Sequence, residues 1–319
     1  MDKSSKNKSH NWKDKLISSS LPLEFEAAKI LVSNKFWITA DYTYPREISG
    51  VPTDFSVDLK AQAHTPFTNQ NKMTASLELL VECKQRSPNI KWLFLPNLNK
   101  DDEIYPEYRI GCTLHVVDQF NCKFVHRFST TEFDENGPFC YKGIEIDESN
   151  GSVRDSEIKH GISQLQYAIP RLISQNIDFC EGPFFYCPIL LTTSDLMVMN
   201  RSVTINDVKD ATSLDEIAKK VPYLFFSSDC NSDFEKHCNN MFTQSLKRDL
   251  TGLDKYRKDH GEWDVNLPFS VRNFLYKGAD KDYFTQFVVC SMDNFPALIR
   301  KIKQVTTKAV RKISDHREF

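Results

Sequence analysis

The chain has 319 residues, of which 40% are hydrophobic and 26% charged, a globular composition that excludes a disordered or fibrous protein. The 41 Lys and Arg against 43 Asp and Glu give a formal net charge of −2, which by itself does not recommend a nucleic-acid partner, because such proteins usually carry a strongly basic domain. Neither G-x-G-x-x-G nor G-x-x-x-x-G-K-[ST] occurs, so the two commonest glycine loops that bind phosphate are excluded.

The cysteines and the termini indicate a compartment. Nine cysteines are scattered without a C-x-x-C pair, which favours a reduced intracellular protein over a disulfide scaffold. The first residues are polar and basic without an apolar segment, and no run of 18 apolar residues occurs. We therefore expect a cytoplasmic protein with no secretory signal and no contact with the membrane.

The first elements along the chain are a basic arm, a helix and two strands. Residues 1–20 contain five lysines against two aspartates and predict a flexible arm. Residues 21–36 predict a helix, because apolar residues recur at helical spacing at Phe25, Ala28, Leu31 and Val32. Residues 36–44 are aromatic and β-branched, and residues 52–63 alternate, so both predict strands. In the second strand Phe55, Val57 and Leu59 are expected on one face and Asp54, Ser56 and Asp58 on the other.

The remaining chain alternates between predicted strands and helices. Strands are predicted over 76–86, 91–95, 112–128, 184–200, 223–228 and 283–292. Helices are predicted over 155–175, where Pro170 is expected to kink or end the helix, and over 213–221, 233–250 and 294–314. The fold class predicted is α/β, a mixed sheet flanked by helices. We assign 21–200 to its core and 201–319 to an α/β extension packed on that core, ending in a basic amphipathic helix.

That last helix is strongly basic. Residues 298–319 contain Arg300, Lys301, Lys303, Lys308, Arg311, Lys312 and Arg317, against two acidic residues. A helix face of this kind is either simply solvated or binds a nucleic-acid backbone, and the sequence leaves both interpretations open.

Two neighbouring predicted strands carry side chains that together could bind a metal ion. Glu82 and Lys84 are two residues apart on one strand, so they face the same side, whereas Leu79, Val81 and Cys83 face the apolar side. If the neighbouring strand places Asp58 beside Glu82, the two carboxylates form a site for Mg²⁺ or Mn²⁺. A lysine beside the metal can orient an attacking water and offset charge on a phosphate. The alternative is a solvated strand face with a weak ion pair.

The order of these elements resembles the PD-(D/E)xK, or restriction-endonuclease-like, nuclease superfamily. A helix with Glu24 and Glu26 is followed by a strand, a strand with Asp58, a strand with Glu82-Cys83-Lys84, a helix and a further strand. The resemblance covers residues 21–200. It implies divalent-metal-dependent cleavage of DNA by a Mg²⁺- or Mn²⁺-dependent endonuclease, with antiviral defence or DNA processing as settings.

The resemblance also implies a role for each matching residue. Asp58 and Glu82 would bind the metal, the Cys83 carbonyl would be a further ligand, and Lys84 would position the water. Glu26 would be the additional helix carboxylate, with Glu24 as its alternative. Gln164 corresponds to the glutamine that some members place on the following helix, although Tyr167 follows it by three residues and not by four. Asp54, on the same strand face, is the alternative to Asp58.

Other interpretations remain open. RNA is an alternative substrate, and a homodimer or a partner subunit of a larger system is an alternative assembly. The fold could also persist without catalysis, as a nucleic-acid-binding or assembly scaffold, because fold does not determine function. A zinc site is a weaker hypothesis, built from Cys112, His115, Cys122 and His126, in which Cys112 and His115 would fall on opposite faces of a strand.

Overall fold

The computed structural model describes residues 10–48, 50–65, 75–98, 113–115, 137–179, 184–241 and 284–315. Within these ranges the protein is mixed α/β, with one large mixed sheet covered by helices on both faces. The predicted fold class, a mixed sheet flanked by helices, is confirmed at this level. No helix in the same ranges is long and apolar enough to cross a membrane.

The elements have the following bounds. The helices are α1 (His10–Ser18), α2 (Leu21–Ser33), α3 (Ser156–Phe179), α4 (Ile205–Asp210), α5 (residues 232–241) and α6 (Phe295–Asp315). The strands are β1 (Trp37–Ile48), β2 (Val51–Thr65), β3 (Ala75–Lys84), β4 (Ile90–Pro96), β5 (Thr113–His115), β6 (Phe139–Asp147), β7 (Ser152–Arg154), β8 (Phe184–Thr192), β9 (Asp195–Met199), β10 (Ala218–Val221), β11 (Tyr223–Ser227) and β12 (Gln286–Ser291).

The strand order is β1-β2-β3-β8-β12-β11-β6-β4-β9-β10, with β5 paired to β8 and β7 to β6. Strands β1, β2 and β3 form an antiparallel meander at one edge. Strand β3 then pairs in parallel with β8, and β8 pairs in parallel with β12. The crossover from the meander to β8 contains α3, so this helix lies over the strands that carry the predicted site.

The sheet does not divide at residue 200, where the sequence suggested that a core ends and an extension begins. Strands β11 and β12 come after that position, yet they lie in the middle of the sheet, between β8 and β6. All six residues of β12 are buried. A strand that is apolar on both sides is typical of a position in a sheet whose two faces are both covered. The later part of the chain therefore completes the core.

The two faces of the sheet have separate cores. One core, which we call the α2 face, contains residues of α2 and α6 together with Leu79, Val81 and Cys83 of β3. The other, the α3 face, contains residues of α3 and α5 together with Leu80. The alternation along β3 is that of a strand buried on both sides.

Helix α2 is confirmed, but it buries a different stripe from the one predicted. The buried residues are Leu23, Ala27 and Leu31. Phe25 and Val32, two members of the predicted stripe, are 62% and 58% exposed. Both sets have helical spacing, so periodicity alone could not select between them.

Four further predicted segments have the following outcomes. Residues 10–18 of the predicted arm form helix α1. Residues 213–221, predicted as a helix, form a short 3-10 turn at Leu214–Glu216 followed by β10, which pairs with β9. Helix α3 continues through Pro170 to Phe179, because the residues around the proline are buried against the sheet. Of the strand predicted over 112–128, only β5 lies within the described residues.

Candidate active site

Strand β3 presents two charged side chains to the α3 face. Glu82 is 1% exposed, and Lys84 Nζ donates a hydrogen bond of 2.7 Å to its Oε1. Cys83, between them, packs in the core of the α2 face. The predicted common facing of Glu82 and Lys84 is confirmed, and any contribution of Cys83 to the site must come from its backbone.

Helix α3 supplies the next residue, Gln164. Lys84 Nζ donates to Gln164 Oε1 at 3.1 Å, and Gln164 Nε2 donates to the carbonyl of Ser56 at 3.1 Å. The amide thus connects β2, β3 and the helix above them. Tyr167 does not join this group, because its hydroxyl donates to Asp233 at 2.7 Å.

A glycine lets α3 approach these side chains closely. A Cβ atom on Gly161 would lie 2.5 Å from Leu190 Cδ1, 3.2 Å from Lys84 Cε and 3.6 Å from Glu82 Cγ. The first distance is far below an ordinary carbon contact. Gly161 and Gln164, three residues apart, therefore share the helix face that contacts the site.

Asp58 reaches the same place from β2. Its Oδ2 accepts a hydrogen bond of 2.7 Å from the backbone amide of Cys83. The pairing between β2 and β3 ends at Leu59 and Val81. The Asp58 carboxylate therefore accepts a hydrogen bond from an amide just past the last pair. Asp54, the alternative on this strand, is exposed. The structure therefore brings together Asp58, Glu82, Lys84 and Gln164.

Two further acids lie near Asp58. Burial is the main cause that raises the pKa of the Asp58 carboxyl group, and the negative charges of Glu24 on α2 and of Asp41 on β1 raise it further. Glu26 is exposed, whereas Glu24 is half-buried. The structure therefore favours Glu24 over Glu26, the residue preferred from sequence, because the buried stripe of α2 turns Glu24 toward the site. Asp41 was not identified from sequence, since its only signal is its position opposite Asp58 in the hairpin.

The two central carboxyl groups hold their protons unusually well. Burial, reinforced by the charge of Asp58, raises the pKa of Glu82 to about 7, and Lys84 only partly opposes this shift. Burial, opposed by the Cys83 amide and Lys84, raises the pKa of Asp58 to about 6. Burial also raises the pKa of the Cys83 thiol well above its usual value. Neighbouring acids that are raised in this way are typical of functional sites.

The residues fit a hard divalent cation such as Mg²⁺ or Mn²⁺. Glu82 Oε2 is buried and has no hydrogen-bond partner. Among the residues that the structure describes, no three His, Cys, Asp or Glu side chains are arranged to hold a metal ion by themselves. A cation at Asp58 and Glu82 would thus need backbone and water oxygens as well, which suits Mg²⁺, because it keeps several waters and uses one or two carboxylates.

One histidine borders the site and was missed from sequence. His160 lies on the turn of α3 that precedes Gln164; most of the residue is exposed, but partial desolvation of its ring, followed by the charge of Lys84, lowers its pKa. Glu157, one turn earlier, forms an ion pair with Arg86, which also binds Glu145 at 2.8 Å. These contacts fix the first turns of α3 against the end of β3.

The two remaining sequence hypotheses have different outcomes. Of the proposed zinc residues, Cys112, Cys122 and His126 lie outside the described part of the chain, and His115 belongs to β5. In the basic helix α6, Lys301 Nζ donates to the Tyr223 hydroxyl at 2.9 Å and Lys303 Nζ donates to the Asn34 carbonyl at 2.7 Å. These two cations therefore help to hold α6 on the protein, whereas Arg300 and Lys308 are exposed.

Comparisons of the chain with protein-family models, with curated proteins and with solved structures found no match. The function proposed below therefore rests on the contacts of the site alone.

Proposed function

We propose that this protein is a divalent-cation-dependent nuclease that hydrolyses DNA phosphodiester bonds, with a restriction-endonuclease-like arrangement of α2, β1, β2, β3, α3 and β8. The observation that carries the proposal is the environment of Glu82. Its carboxylate is buried beside a second carboxylate, Asp58, is held on one oxygen by Lys84, and has no partner on the other oxygen. Burying such a group is costly unless a cation compensates it.

Asp58 and Glu82 would hold the cation. Mg²⁺ bound there would supply Lewis-acid stabilisation of the phosphate and a more acidic water. The Asp58 carboxylate is fixed by the Cys83 amide, so it is preorganised before any cation binds. Glu24 and Asp41 add negative charge on the other side of Asp58 and would strengthen the attraction for a cation.

Lys84 would act on the attacking water and on the phosphate. Its ammonium group is held by both Glu82 and Gln164, so it has a fixed position and a remaining N–H that can be directed at substrate. A lysine so placed can orient a water oxygen toward phosphorus and can offset the charge that develops on the phosphate oxygens. Gln164 would be a positioning residue, because it contacts Lys84.

The principal rival is a protein of the same fold that binds nucleic acid or assembles with partners without catalysis. A scaffold of this kind has no need to bury two carboxyl groups and a lysine at one place, because a pair of buried ions contributes little stability compared with apolar residues. RNA is the alternative substrate, since the same chemistry serves either sugar. A homodimer, or a complex with a partner subunit, is compatible with this proposal.

The test is a cleavage assay on labelled plasmid, duplex DNA, single-stranded DNA and RNA, each with Mg²⁺, Mn²⁺ or EDTA. We expect cleavage of DNA that requires the cation and that falls by at least about a hundredfold in Asp58→Asn, consistent with the loss of a metal ligand. Asp54→Asn, an exposed acid on the same strand, is the matched control and should retain activity. Binding without cleavage of any substrate would support the scaffold instead.

A further inference from the structure

Asp41 has an unusual backbone in the hairpin formed by β1 and β2. Its φ angle is 50°, in the left-handed region, which few residues other than glycine adopt and which aspartate tolerates better than most. The pairs on either side of it are Ala40 with Leu59 and Tyr42 with Val57. The register is the same before and after, so no residue is inserted, and Asp41 lies directly opposite Asp58.

The hairpin changes the core against which it packs at this position. Before it, Ile38 and its partner Ala61 pack on the α2 face. After it, Tyr42 and its partner Val57 pack on the α3 face. In a regular strand, residues an even number apart lie on one side, so Ile38 and Tyr42 would share a face. The two strands therefore rotate together at Asp41 and Asp58.

This rotation determines where Asp58 lies. In a regular strand, neighbouring residues face opposite sides of the sheet. Leu59 packs on the α2 face, so Asp58 would have to face the α3 side; Val57 packs on the α3 face, so Asp58 would have to face the α2 side. Both cannot hold in a regular strand. In the rotated hairpin the carboxylate instead meets the backbone amide of Cys83, at the end of the pairing between β2 and β3. The same rotation corrects the sequence prediction that Phe55, Val57 and Leu59 face one way.

We infer that Asp41 is a positioning residue whose left-handed backbone turns the β1–β2 hairpin and thereby directs Asp58 at the end of β3. Its importance for catalysis rests on the proposed function, but its effect on Asp58 does not. The backbone conformation, and not the carboxylate, is the feature that the hairpin requires. Glycine and asparagine also accept left-handed backbone, whereas β-branched residues do not.

The first measurement is hydrogen exchange of the Cys83 amide in the full-length, metal-free protein. Asp41→Gly and Asp41→Asn should keep this amide protected. Asp41→Val should make it exchange about tenfold faster or more, and Asp58→Ala, which removes the acceptor, should have the same effect. Thr39→Val is the matched control, because Thr39 is exposed on the same strand and has no left-handed backbone. If Asp41→Val does not fold, Asp41→Ala provides the same comparison with a smaller perturbation.

Either of two results would overturn the inference. One is protection of the Cys83 amide in all Asp41 variants, and the other is loss of protection in Asp41→Gly and Asp41→Asn as large as in Asp41→Val. Mn²⁺ titration of the same proteins separates this inference from the proposed function. If wild type binds Mn²⁺, Asp41→Val should bind about tenfold more weakly, and unchanged binding would contradict the positioning role. Absence of Mn²⁺ binding in wild type would reject the proposed function, while the exchange data would still decide the role of Asp41.

Discussion

The carboxylate of Asp58 accepts a hydrogen bond of 2.7 Å from the backbone amide of Cys83, the residue between Glu82 and Lys84. This bond joins the middle of β2 to the end of β3, just past the last paired residues of the two strands. It holds one acid beside another that is almost fully buried, and the proximity of the two carboxyl groups contributes to the raised pKa of Glu82. The protein thus has two partly desolvated carboxyl groups at the end of β3, next to a lysine whose position is fixed.

The first prediction concerns stability and pH without divalent cations. The pKa of Glu82 is about 7 in the folded protein, against an ordinary value of 4.5 that applies to the unfolded chain. Between these two pH values the folded state therefore holds a proton that the unfolded state has released. Stability should therefore fall as pH rises through this window, on the order of 3 kcal/mol for Glu82, at about 1.4 kcal/mol per pKa unit. Asp58, with a pKa raised to about 6, acts in the same direction.

Chemical denaturation in EDTA from pH 5 to pH 8 measures this effect. Glu82→Gln should flatten the dependence of the unfolding free energy on pH and should be the more stable protein at pH 8. Glu47→Gln, at an exposed position on β1, is the control and should follow wild type. Equal slopes for Glu82→Gln and wild type would show that Glu82 titrates normally.

The second prediction distinguishes the two glutamates of α2. Glu24→Gln removes a negative charge that acts on Asp58, so it should weaken Mn²⁺ binding several-fold, whereas Glu26→Gln should leave binding unchanged. The difference should shrink at high salt, because Glu24 is only half-buried and mobile ions screen its charge. Mn²⁺ titration followed by electron paramagnetic resonance measures both affinities. A larger effect of Glu26→Gln would restore the residue that the sequence favoured.

The third prediction concerns the close contact between α3 and β3. Alanine has a higher helix propensity than glycine by about 1 kcal/mol, but the new methyl group of Gly161→Ala would overlap Leu190 and press on Lys84. Overpacking of this kind costs about 1–3 kcal/mol, so the net loss of stability should be small. The displaced lysine should nevertheless reduce cleavage by about tenfold or more.

Ser163→Ala on the same helix is the control for the effect of the substitution on α3. Denaturation curves and single-turnover cleavage rates, measured on both variants, separate stability from positioning. A Gly161→Ala protein with wild-type cleavage would show that the position of Lys84 is not sensitive to this contact.

The part of the site on β3 was predictable because a strand has a period of two. Glu82 and Lys84 share a face for this reason alone, and the buried Leu79, Val81 and Cys83 fix which face it is. Gln164 was singled out only through the resemblance of the element order, and its amide oxygen accepts a hydrogen bond from Lys84.

The parts that could not be predicted depend on long-range packing. Helix α2 has two apolar stripes, and only the docking of Leu23, Ala27 and Leu31 decides that Glu24 is the glutamate turned toward Asp58. The rotation of the hairpin at Asp41 leaves no mark in the alternation of β2, so Val57 and Leu59 were assigned to one face. The central place of β12 follows from pairing with β8, a partner about a hundred residues away along the chain.

The most direct test of the central claim is to measure Mn²⁺ binding and cation-dependent DNA cleavage side by side in wild type, Glu82→Gln and Lys84→Met. Wild type should bind and cleave, Glu82→Gln should lose both, and Lys84→Met should still bind Mn²⁺ but cleave at least about a hundredfold more slowly. That separation follows from the roles assigned to the carboxylate and to the ammonium group. Cleavage at the wild-type rate by Glu82→Gln or by Lys84→Met would contradict the account.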